Sequence, residues 1–178
     1  MFRDAWDMRL SQAALTLANN ASRLGQTETS AISVQVRESD VLTVFRGMET
    51  QTANINLKDN GRVILSSLER NSSGGQYIHW QRCYGAQKDA SLYGKEGTGA
   101  SGTAFPGMGP PTREVRASTG DSIMFVEITY RYQSIFGDMF IKDRSIRAEA
   151  AYNSRDNRQL SAGLNNDVAW NQKAVCTV

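Results

Sequence analysis

The clearest pattern of apolar and polar positions lies at the start of the chain. Because an α-helix turns once in about 3.6 residues, apolar side chains spaced by three or four residues lie along one side of it. Such side chains occur at Phe2, Trp6, Leu10, Ala13, Leu17, Ala21 and Leu24. The pattern predicts an amphipathic helix over residues 1–24, which Gly25 can end. This helix either packs on its own domain or forms the lower half of a longer helix that continues upstream into a membrane.

Weaker patterns predict a second helix and an antiparallel sheet. Ser39 and Asp40 can begin a helix that carries apolar side chains on one side. The Asn60-Gly61 pair indicates a tight turn, and the sequence NSSGG at 71–75 is typical of a hairpin turn. Alternating or β-branched runs predict strands at 31–36, 63–68, 76–83, 122–132 and 139–152. The elements together predict one α+β domain, in which the long N-terminal helix packs on the sheet.

Residues 85–120 differ in composition from the rest of the chain. They contain eight of the fifteen glycines and all three prolines. This composition predicts a long, mobile loop that projects from the domain. Residues 97–102 match the GxGxxG pattern of phosphate-binding loops. However, the flanking residues predict neither a buried strand before them nor a helix after them, so we reject a phosphate site.

Composition and charge narrow the class of protein. The chain has 178 residues, a size typical of one domain, and we predict that residues 1–178 form a single domain. Its net charge of +2 does not indicate a nucleic-acid partner, because phosphate binding needs a concentrated basic face. No apolar run approaches the roughly 20 residues that span a bilayer, and the first residues lack the apolar core of a signal peptide. An ectodomain without its anchor would share these features, so the cellular location stays open.

The segment 76–87, QYIHWQRCYGAQ, has the residue types of an active site. It contains Cys83 and the only histidine, His79. Four residues of strand separate these two by about 13 Å, which is too far for proton transfer or for joint metal binding. On a regular strand the side chains would alternate, with Tyr77, His79, Gln81 and Cys83 on one side and Ile78, Trp80 and Arg82 on the other. The spacing predicts no catalytic residue and no metal site in this segment.

Glu127 interrupts an otherwise apolar strand. If its side chain faces the core, it must be protonated or pair with a cation, and Arg82 and Arg131 are the candidate partners for a buried charge. If its side of the strand faces solvent, no partner is needed. The sequence does not decide between these two arrangements.

The polar tail from Asn153 onward has few apolar residues. The possible docking points on the domain are Leu164, Val168, Trp170 and Val175. Oxygen ligands for calcium are present at Asp156, Asn157, Asn165, Asn166 and Asp167, but they lack the spacing of an EF-hand loop. The motifs together favour a binding or structural protein that is not an enzyme and has no cofactor or metal.

Cys83 and Cys176 lie far apart in the chain. Their separation excludes a CxxC redox pair and a local zinc knuckle. They are either two separate buried thiols or one disulfide that ties the C-terminus to the middle of the fold, and the second arrangement would require an oxidising compartment. The cysteine spacing leaves both open.

Two segments, taken together, resemble a known family. WQRCYG at 80–85 and VEITYRYQSIFG at 126–137 are similar to segments of TadE-like proteins, which are pseudopilins or minor pilins of the tight-adherence type IV pilus system. The segment GRVI at 61–64 is similar to the strand that opens the family's hairpin, and AEAAYNSR at 148–155 is similar to its closing segment. The order and spacing agree over residues 1–155.

The resemblance implies a pilin-like fold and an oxidising location. Family members begin with an apolar transmembrane helix and usually have proline where this chain has Ser134. The chain would then be a soluble ectodomain, and residues 1–24 would be the end of that helix. Such ectodomains face the periplasm, where disulfides persist, so the resemblance implies a Cys83–Cys176 bond that ties down the tail.

The implied role is the assembly of a pilus. The partners would be other pilins or pseudopilins, the assembly platform of the inner membrane, and the membrane itself through an upstream helix. Neither nucleic acid nor a small-molecule substrate is expected. The protein would lie at the periplasmic face of the inner membrane or in the pilus on the cell surface. The residues expected to pack against neighbouring helices are Phe2, Trp6, Leu10, Ala13 and Leu17.

Two other classes of protein remain as alternatives. One is a secreted or surface binding module, such as an adhesin, with the 85–120 loop as its recognition surface. The other is a hydrolase that uses carboxylates such as Glu127 and Asp138. The hydrolase would require a deep pocket at these groups and raised carboxyl pKa values.

Overall fold

The computed structural model describes residues 2–24, 35–131, 145–154 and 163–177. In these ranges the helices are α1 (Phe2–Ala21), α2 (Glu38–Gln51) and α3 (Leu57–Asn60). The strands are β1 (Gly61–Arg70), β2 (Gln76–Tyr84), β3 (Ile123–Arg131) and β4 (Ser145–Asn153), and short 3-10 turns lie at Ala53–Ile55 and Trp170–Gln172. The four strands form one antiparallel sheet in the order β2-β1-β3-β4. This architecture confirms the predicted α+β class.

Most predicted elements are present, with shifted ends. The N-terminal helix, the second helix and the β1–β2 hairpin are confirmed. The predicted strand at 31–36 lies mostly outside the described residues, and Gln35 and Val36 are not in a strand. Residues 139–144 also lie outside the described residues, so β4 is described only from Ser145. No helix within the described ranges has the length and apolar character needed to cross a membrane.

The start of α2 corrects the predicted cap. The capping position is Arg37, whereas Ser39 and Asp40 lie inside the first turn. The carboxylate of Asp40 accepts a hydrogen bond from the backbone N of Arg37 at 3.0 Å, which satisfies one donor at the beginning of the helix. Serine and aspartate are common both at caps and in first turns, so their presence alone does not fix where the helix begins.

The Asn60-Gly61 pair joins a helix to a strand rather than forming a turn between two strands. Asn60 ends α3 and Gly61 begins β1. A Cβ atom at Gly61 would lie 2.4 Å from Cδ1 of Leu57 and 2.9 Å from its carbonyl oxygen. Glycine is therefore required here because the helix and the strand approach each other so closely.

One face of the sheet is covered by helices. α1 packs on β3 and β4 and contacts α2. Leu10 and Leu17 are 0% and 1% exposed, and the ring of Trp6 stacks on Tyr130 with centroids 5.5 Å apart. The inward strand residues of this helix-side core are Val63, Leu65, Trp80, Met124, Val126, Ile128, Tyr130, Ile146, Ala148 and Ala150. The predicted apolar stripe is confirmed at its buried members Leu10, Ala13, Leu17 and Ala21, while the side chain of Phe2 lies outside the described set.

The other face of the sheet is covered by the 85–120 segment. This segment forms no helix or strand, but Met108 is fully buried and Ala117 is 4% exposed. The side chains of this loop-side core are Leu68, Ile78, Met108, Ala117, Ile123 and Phe125. Asn71 of the hairpin turn donates hydrogen bonds of 2.8 Å to the carbonyls of Gly99 and Gly102. The prediction that the segment projects from the sheet is therefore wrong: it forms the third layer of the domain.

A β-bulge changes which side chains of β2 face the helices. The register shifts opposite Ser67 and Leu68, so that Ser67 pairs with Trp80 and Leu68 with Ile78. Trp80 consequently lies in the helix-side core, whereas Ile78 lies in the loop-side core. The prediction that these two side chains share one side of the strand assumed regular alternation, which a bulge breaks.

Loop and tail residues cover the outer edge of β2. The amide of Ile78 donates to the carbonyl of Thr98 at 2.9 Å, and the amide of Cys83 donates to the carbonyl of Ala174 at 2.7 Å. Cys83 and Cys176 form a disulfide with an S–S distance of 2.04 Å. The disulfide implied by the resemblance is present, and it fixes the tail where it pairs with the strand edge.

The tail makes few apolar contacts with the rest of the domain. Leu164 and Ala174 pack at the margin of the helix-side core. Trp170 does not dock, because it is 74% exposed and the Lys173 ammonium lies 4.8 Å from its ring centroid. Disulfide and backbone hydrogen bonds therefore hold the tail more than buried apolar surface does.

Removing the disulfide should destabilise the domain. We expect the Cys83→Ala/Cys176→Ala variant to lose about 4 kcal/mol of unfolding free energy, because the bond closes a loop over a sequence separation of 93 residues. Urea unfolding of the oxidised, reduced and doubly substituted protein measures this loss. The Cys83 amide should also exchange with solvent faster. Unchanged stability and unchanged exchange would show that the tail is held without the bond.

Two leucines of α1 provide a matched test of the helix-side core. Leu17→Ala should lower the free energy of unfolding by about 2–5 kcal/mol, because it opens a cavity where the side chain is 1% exposed. Leu15→Ala removes the same atoms from a side chain that is 45% exposed and should cost no more than about 0.5 kcal/mol. Equal losses in urea unfolding would contradict the described orientation of α1.

Candidate functional site

The residues of the segment 76–87 have different structural roles and do not form one site. Trp80 fills the helix-side core, and Cys83 forms the disulfide. Nδ1 of His79 lies 2.8 Å from Oε2 of Glu69, and the hydroxyl of Ser67 donates to the other oxygen of Glu69 at 2.8 Å. The Ser67 hydroxyl donates to the Glu69 carboxylate and not to His79, so His79 is not placed to act as a base for Ser67. The burial of Tyr77 and its proximity to Glu69 raise its pKa to about 12, so this ring stays protonated at neutral pH.

Arg82 joins α2 to the loop through a buried ion pair. Its Nε lies 2.9 Å from Oε2 of Glu38, which is 2% exposed, and its Nη1 lies 2.8 Å from Oε2 of Glu96. Burial acts to lower the pKa of Arg82, but the two carboxylates outweigh burial and raise it. The guanidinium is therefore permanently charged, and it links the helix layer to the loop layer around the edge of the sheet.

Glu127 lies buried beneath the loop, away from both predicted cations. Its side chain is 6% exposed, and its oxygens accept hydrogen bonds from the Ser91 hydroxyl at 2.6 Å and the Leu92 amide at 2.9 Å. Among the described residues the two candidate partners pair elsewhere, Arg82 with Glu38 and Glu96 and Arg131 with Asp89. Arg131 is not a buried charge, because its side chain is 55% exposed and pairs with Asp89 at 3.6 Å. The carboxylate is thus satisfied by neutral donors from the loop.

A second carboxylate lies next to Glu127 in the sheet. Glu149 is its direct partner on β4 and accepts a hydrogen bond of 2.7 Å from the hydroxyl of Tyr93. Burial raises the pKa of Glu127, and the charge of Glu149 reinforces this effect, whereas the bonds from Ser91 and Leu92 oppose it. A pair of adjacent carboxylates is a feature of acid catalysts. Here both oxygens of Glu127 are occupied by donors of its own chain.

A half-open cleft of about 480 Å³ lies beside the disulfide. Its floor is formed by β1 and β2, and its walls by residues 89–96 of the loop and by Val175 and Cys176 of the tail. Arg62, which also lines it, is 4% exposed although it carries a full charge. Glu127 does not line the cleft, so its carboxylate and this cleft are separate features.

α1 leaves apolar side chains exposed on its outer surface. Met8 is 70% and Leu15 is 45% exposed, and these positions lie about two helical turns apart on the same side. In contrast, the predicted contact residues Leu10, Ala13 and Leu17 are buried in the domain's own core. Among the described side chains, the large apolar groups that α1 exposes to another molecule are therefore Met8 and Leu15.

Comparison of the chain with protein-family models, with curated proteins and with solved structures gives no match. Within the described ranges, no cluster of three or more His, Cys, Asp or Glu side chains is placed to hold a metal ion. Of the tail residues considered as calcium ligands, Asp156 and Asn157 lie outside the described residues, and Asp167 accepts a hydrogen bond from the Ser39 amide at 3.0 Å.

Sequence reasoning missed Arg62 and the loop partners of Glu127. One signal for Arg62 was available. Arg62 is a charged residue next to the apolar run Val63–Leu65, so, as for Glu127 in β3, the sequence indicates a charge that is either buried with a partner or exposed to solvent. No local pattern indicated that Ser91 and Leu92 would reach Glu127, because 35 or more positions separate them from it. Such contacts depend on how the loop folds across the sheet.

The raised pKa of Glu127 predicts a pH-dependent stability. A carboxyl group whose folded pKa exceeds its unfolded value stabilises the fold below the unfolded pKa, and this contribution is lost as pH rises through the folded pKa. The ordinary value is 4.5, so the loss begins near that pH and extends upward. The Glu127→Gln side chain keeps the shape of glutamate but stays neutral at every pH. We therefore expect this variant to lack the loss of stability that Glu127 causes as pH rises.

Urea unfolding from about pH 4 to pH 8 tests this expectation. The difference in unfolding free energy between the native protein and Glu127→Gln should shift in favour of the variant as pH rises. Glu114→Gln, which removes a loop carboxylate outside this group, is the matched control for the substitution itself. Parallel profiles for the native protein and Glu127→Gln would contradict the raised pKa.

Proposed function

We propose that this chain is the ectodomain of a non-enzymatic minor pilin, or pseudopilin, that takes part in assembling a tight-adherence type IV pilus. The observation that carries the proposal is that α1 has large apolar side chains on two opposite sides, one buried and one exposed. One side of the helix holds the domain together through Leu10 and Leu17, while the other side presents Met8 and Leu15. A helix of this kind can join its own domain to helices of neighbouring subunits.

The spacing of the exposed side chains supports a helix–helix contact. Met8 and Leu15 are seven residues apart, which is the repeat at which helices that pack side by side present contact residues. Gln12 lies between them and is also exposed. Single exposed apolar residues are normal on a protein surface, so the aligned pair matters more than either member.

The fold and the disulfide both support the proposal. A helix packed on an antiparallel sheet, with a tail held by Cys83–Cys176, is the arrangement implied by the resemblance to TadE-like proteins. The disulfide favours an oxidising compartment, such as the periplasmic face of the inner membrane or the cell surface. The proposed partners are other pilins or pseudopilins and the inner-membrane assembly platform, with a membrane anchor upstream of α1.

Charge on the outer side of α1 should prevent assembly without unfolding the domain. We expect Met8→Glu/Leu15→Glu to abolish pilus formation, because a carboxylate buried between helices is costly. The measurement is electron microscopy of filaments from cells that make the full-length protein, together with urea unfolding of the purified domain. The matched control is Met8→Leu/Leu15→Met, which keeps the surface apolar and should assemble normally.

Two results would overturn this proposal. One is normal filaments from the doubly charged variant. The other is a full-length gene product that has no apolar stretch of about 20 residues in phase with α1. The second result would favour the secreted binding module, for which the specific observation is the cleft between the loop and the tail.

The hydrolase alternative has weaker support. Glu127 has a raised pKa, as an acid catalyst would, but both of its oxygens accept hydrogen bonds from the loop and it does not line the cleft. Asp138, the other carboxylate considered, lies outside the described residues. We therefore assign no catalytic role to Glu127.

A further inference from the structure

The cleft beside the disulfide contains a buried cation with an unused donor. Arg62 is 4% exposed and donates from Nη2 to the carbonyl of Thr177 at 3.0 Å. Its Nε forms no hydrogen bond with any described residue. Burial lowers the pKa of Arg62, and the charge of Asp89 offsets this only in part. Because a buried donor without a partner is costly, this guanidinium is suited to receive an acceptor from a ligand.

Two cations, Arg62 and Lys95, and two carboxylates, Asp89 and Glu96, line the cleft, so their formal charges balance. The Glu96 carboxylate already accepts from Arg82 and from the Gln81 amide at 2.9 Å. Asp89 forms an ion pair with Arg131. Lys95 also lines the cleft, and its side chain forms no ion pair with the residues that the structure describes. The cations that line the cleft are therefore Arg62, on which the charge of Asp89 also acts, and Lys95.

The remaining surface of the cleft is apolar. Ile64 and Ala90, the tail residue Val175, and the disulfide itself lie along it. A volume of about 480 Å³ falls within the range of sites for small molecules or for one or two residues of a peptide. A ligand that fits would combine an apolar body with a charged end.

We propose that this cleft binds a monocarboxylate with an apolar body, and that Arg62 receives its carboxylate. Guanidinium groups match carboxylates in shape and charge. A dianion or a polyphosphate fits less well, because the Asp89 and Glu96 carboxylates also line the cleft and repel additional negative charge. The carboxylate can belong to a small organic acid or to the C-terminal residue of another polypeptide. The proposal does not depend on the pilin assignment.

A matched pair of probes tests the required charge. N-acetyl-leucine carries a carboxylate, and N-acetyl-leucinamide has the same body without the charge. In NMR titrations of the oxidised protein we expect the acid to bind with a dissociation constant near or below about 1 mM and to shift the amide signals of Ile64 and Ala90. The amide should bind about tenfold more weakly or not at all, because it lacks the charge-assisted hydrogen bond.

Three variants locate the binding site. Arg62→Gln should abolish binding, and Lys95→Gln should weaken it several-fold, by about a factor of three. Ala90→Trp places a large side chain in the cleft from an exposed position and should also abolish binding. This variant still tests the proposal if Arg62→Gln does not fold. Lys88→Gln is the control, since Lys88 is exposed and does not line the cleft, and it should leave binding unchanged.

A further pair of probes distinguishes the two sources of the carboxylate. A pentapeptide that ends in leucine should bind more tightly than N-acetyl-leucine if the ligand is the end of a polypeptide, and its C-terminally amidated form should not bind. If the free acid binds as tightly as the peptide, the ligand is a small organic acid. The proposal is overturned if acid and amide bind equally, if neither binds at about 10 mM, or if Ala90→Trp leaves binding intact.

Discussion

The central constraint on this fold is that β1 and β3 are buried on both faces. Every residue of β1 except Arg70 is buried, and so is every residue of β3 except Arg131. A sheet that is buried on both faces needs two covering layers, whereas α1 and α2 supply only one. The second layer is the 85–120 segment, which has no regular secondary structure but contributes Met108 and Ala117 to the loop-side core.

Burial under an irregular layer explains the polar groups on that face. The loop presents backbone amides, carbonyls and short hydroxyl side chains, which can satisfy buried polar residues of the strands. Glu127 receives the Ser91 hydroxyl and the Leu92 amide, and Gln81 donates to the Gly94 carbonyl at 3.2 Å. An apolar helix on this face would leave these strand residues without partners. The loop layer and the polar strand residues therefore require each other.

The fold was predictable from the sequence where side-chain periodicity is local. The stripe of α1 indicated correctly that Leu10, Ala13, Leu17 and Ala21 face the helix-side core, because regular helix geometry alone decides it. The bulge that separates Ile78 from Trp80 breaks this periodicity, and nothing in the local pattern marks it. The partners of Glu127 and the surroundings of Arg62 depend on contacts between distant segments, which periodicity cannot indicate. The disulfide followed only from the resemblance, since cysteine spacing left it open.

The two surfaces that we associate with function lie on opposite faces of the sheet. α1 covers the helix-side face, and the cleft with Arg62 opens among the loop and tail on the other face. If α1 joins the subunits of a filament through Met8 and Leu15, the sheet lies between that contact and the cleft, so that a ligand and a neighbouring helix need not compete for the same surface. The disulfide belongs to the loop and tail side. It fixes the tail that covers the edge of β2, and it forms part of the cleft wall. Under the two proposals, the chain would assemble through the helix layer while the opposite layer stays open to a ligand.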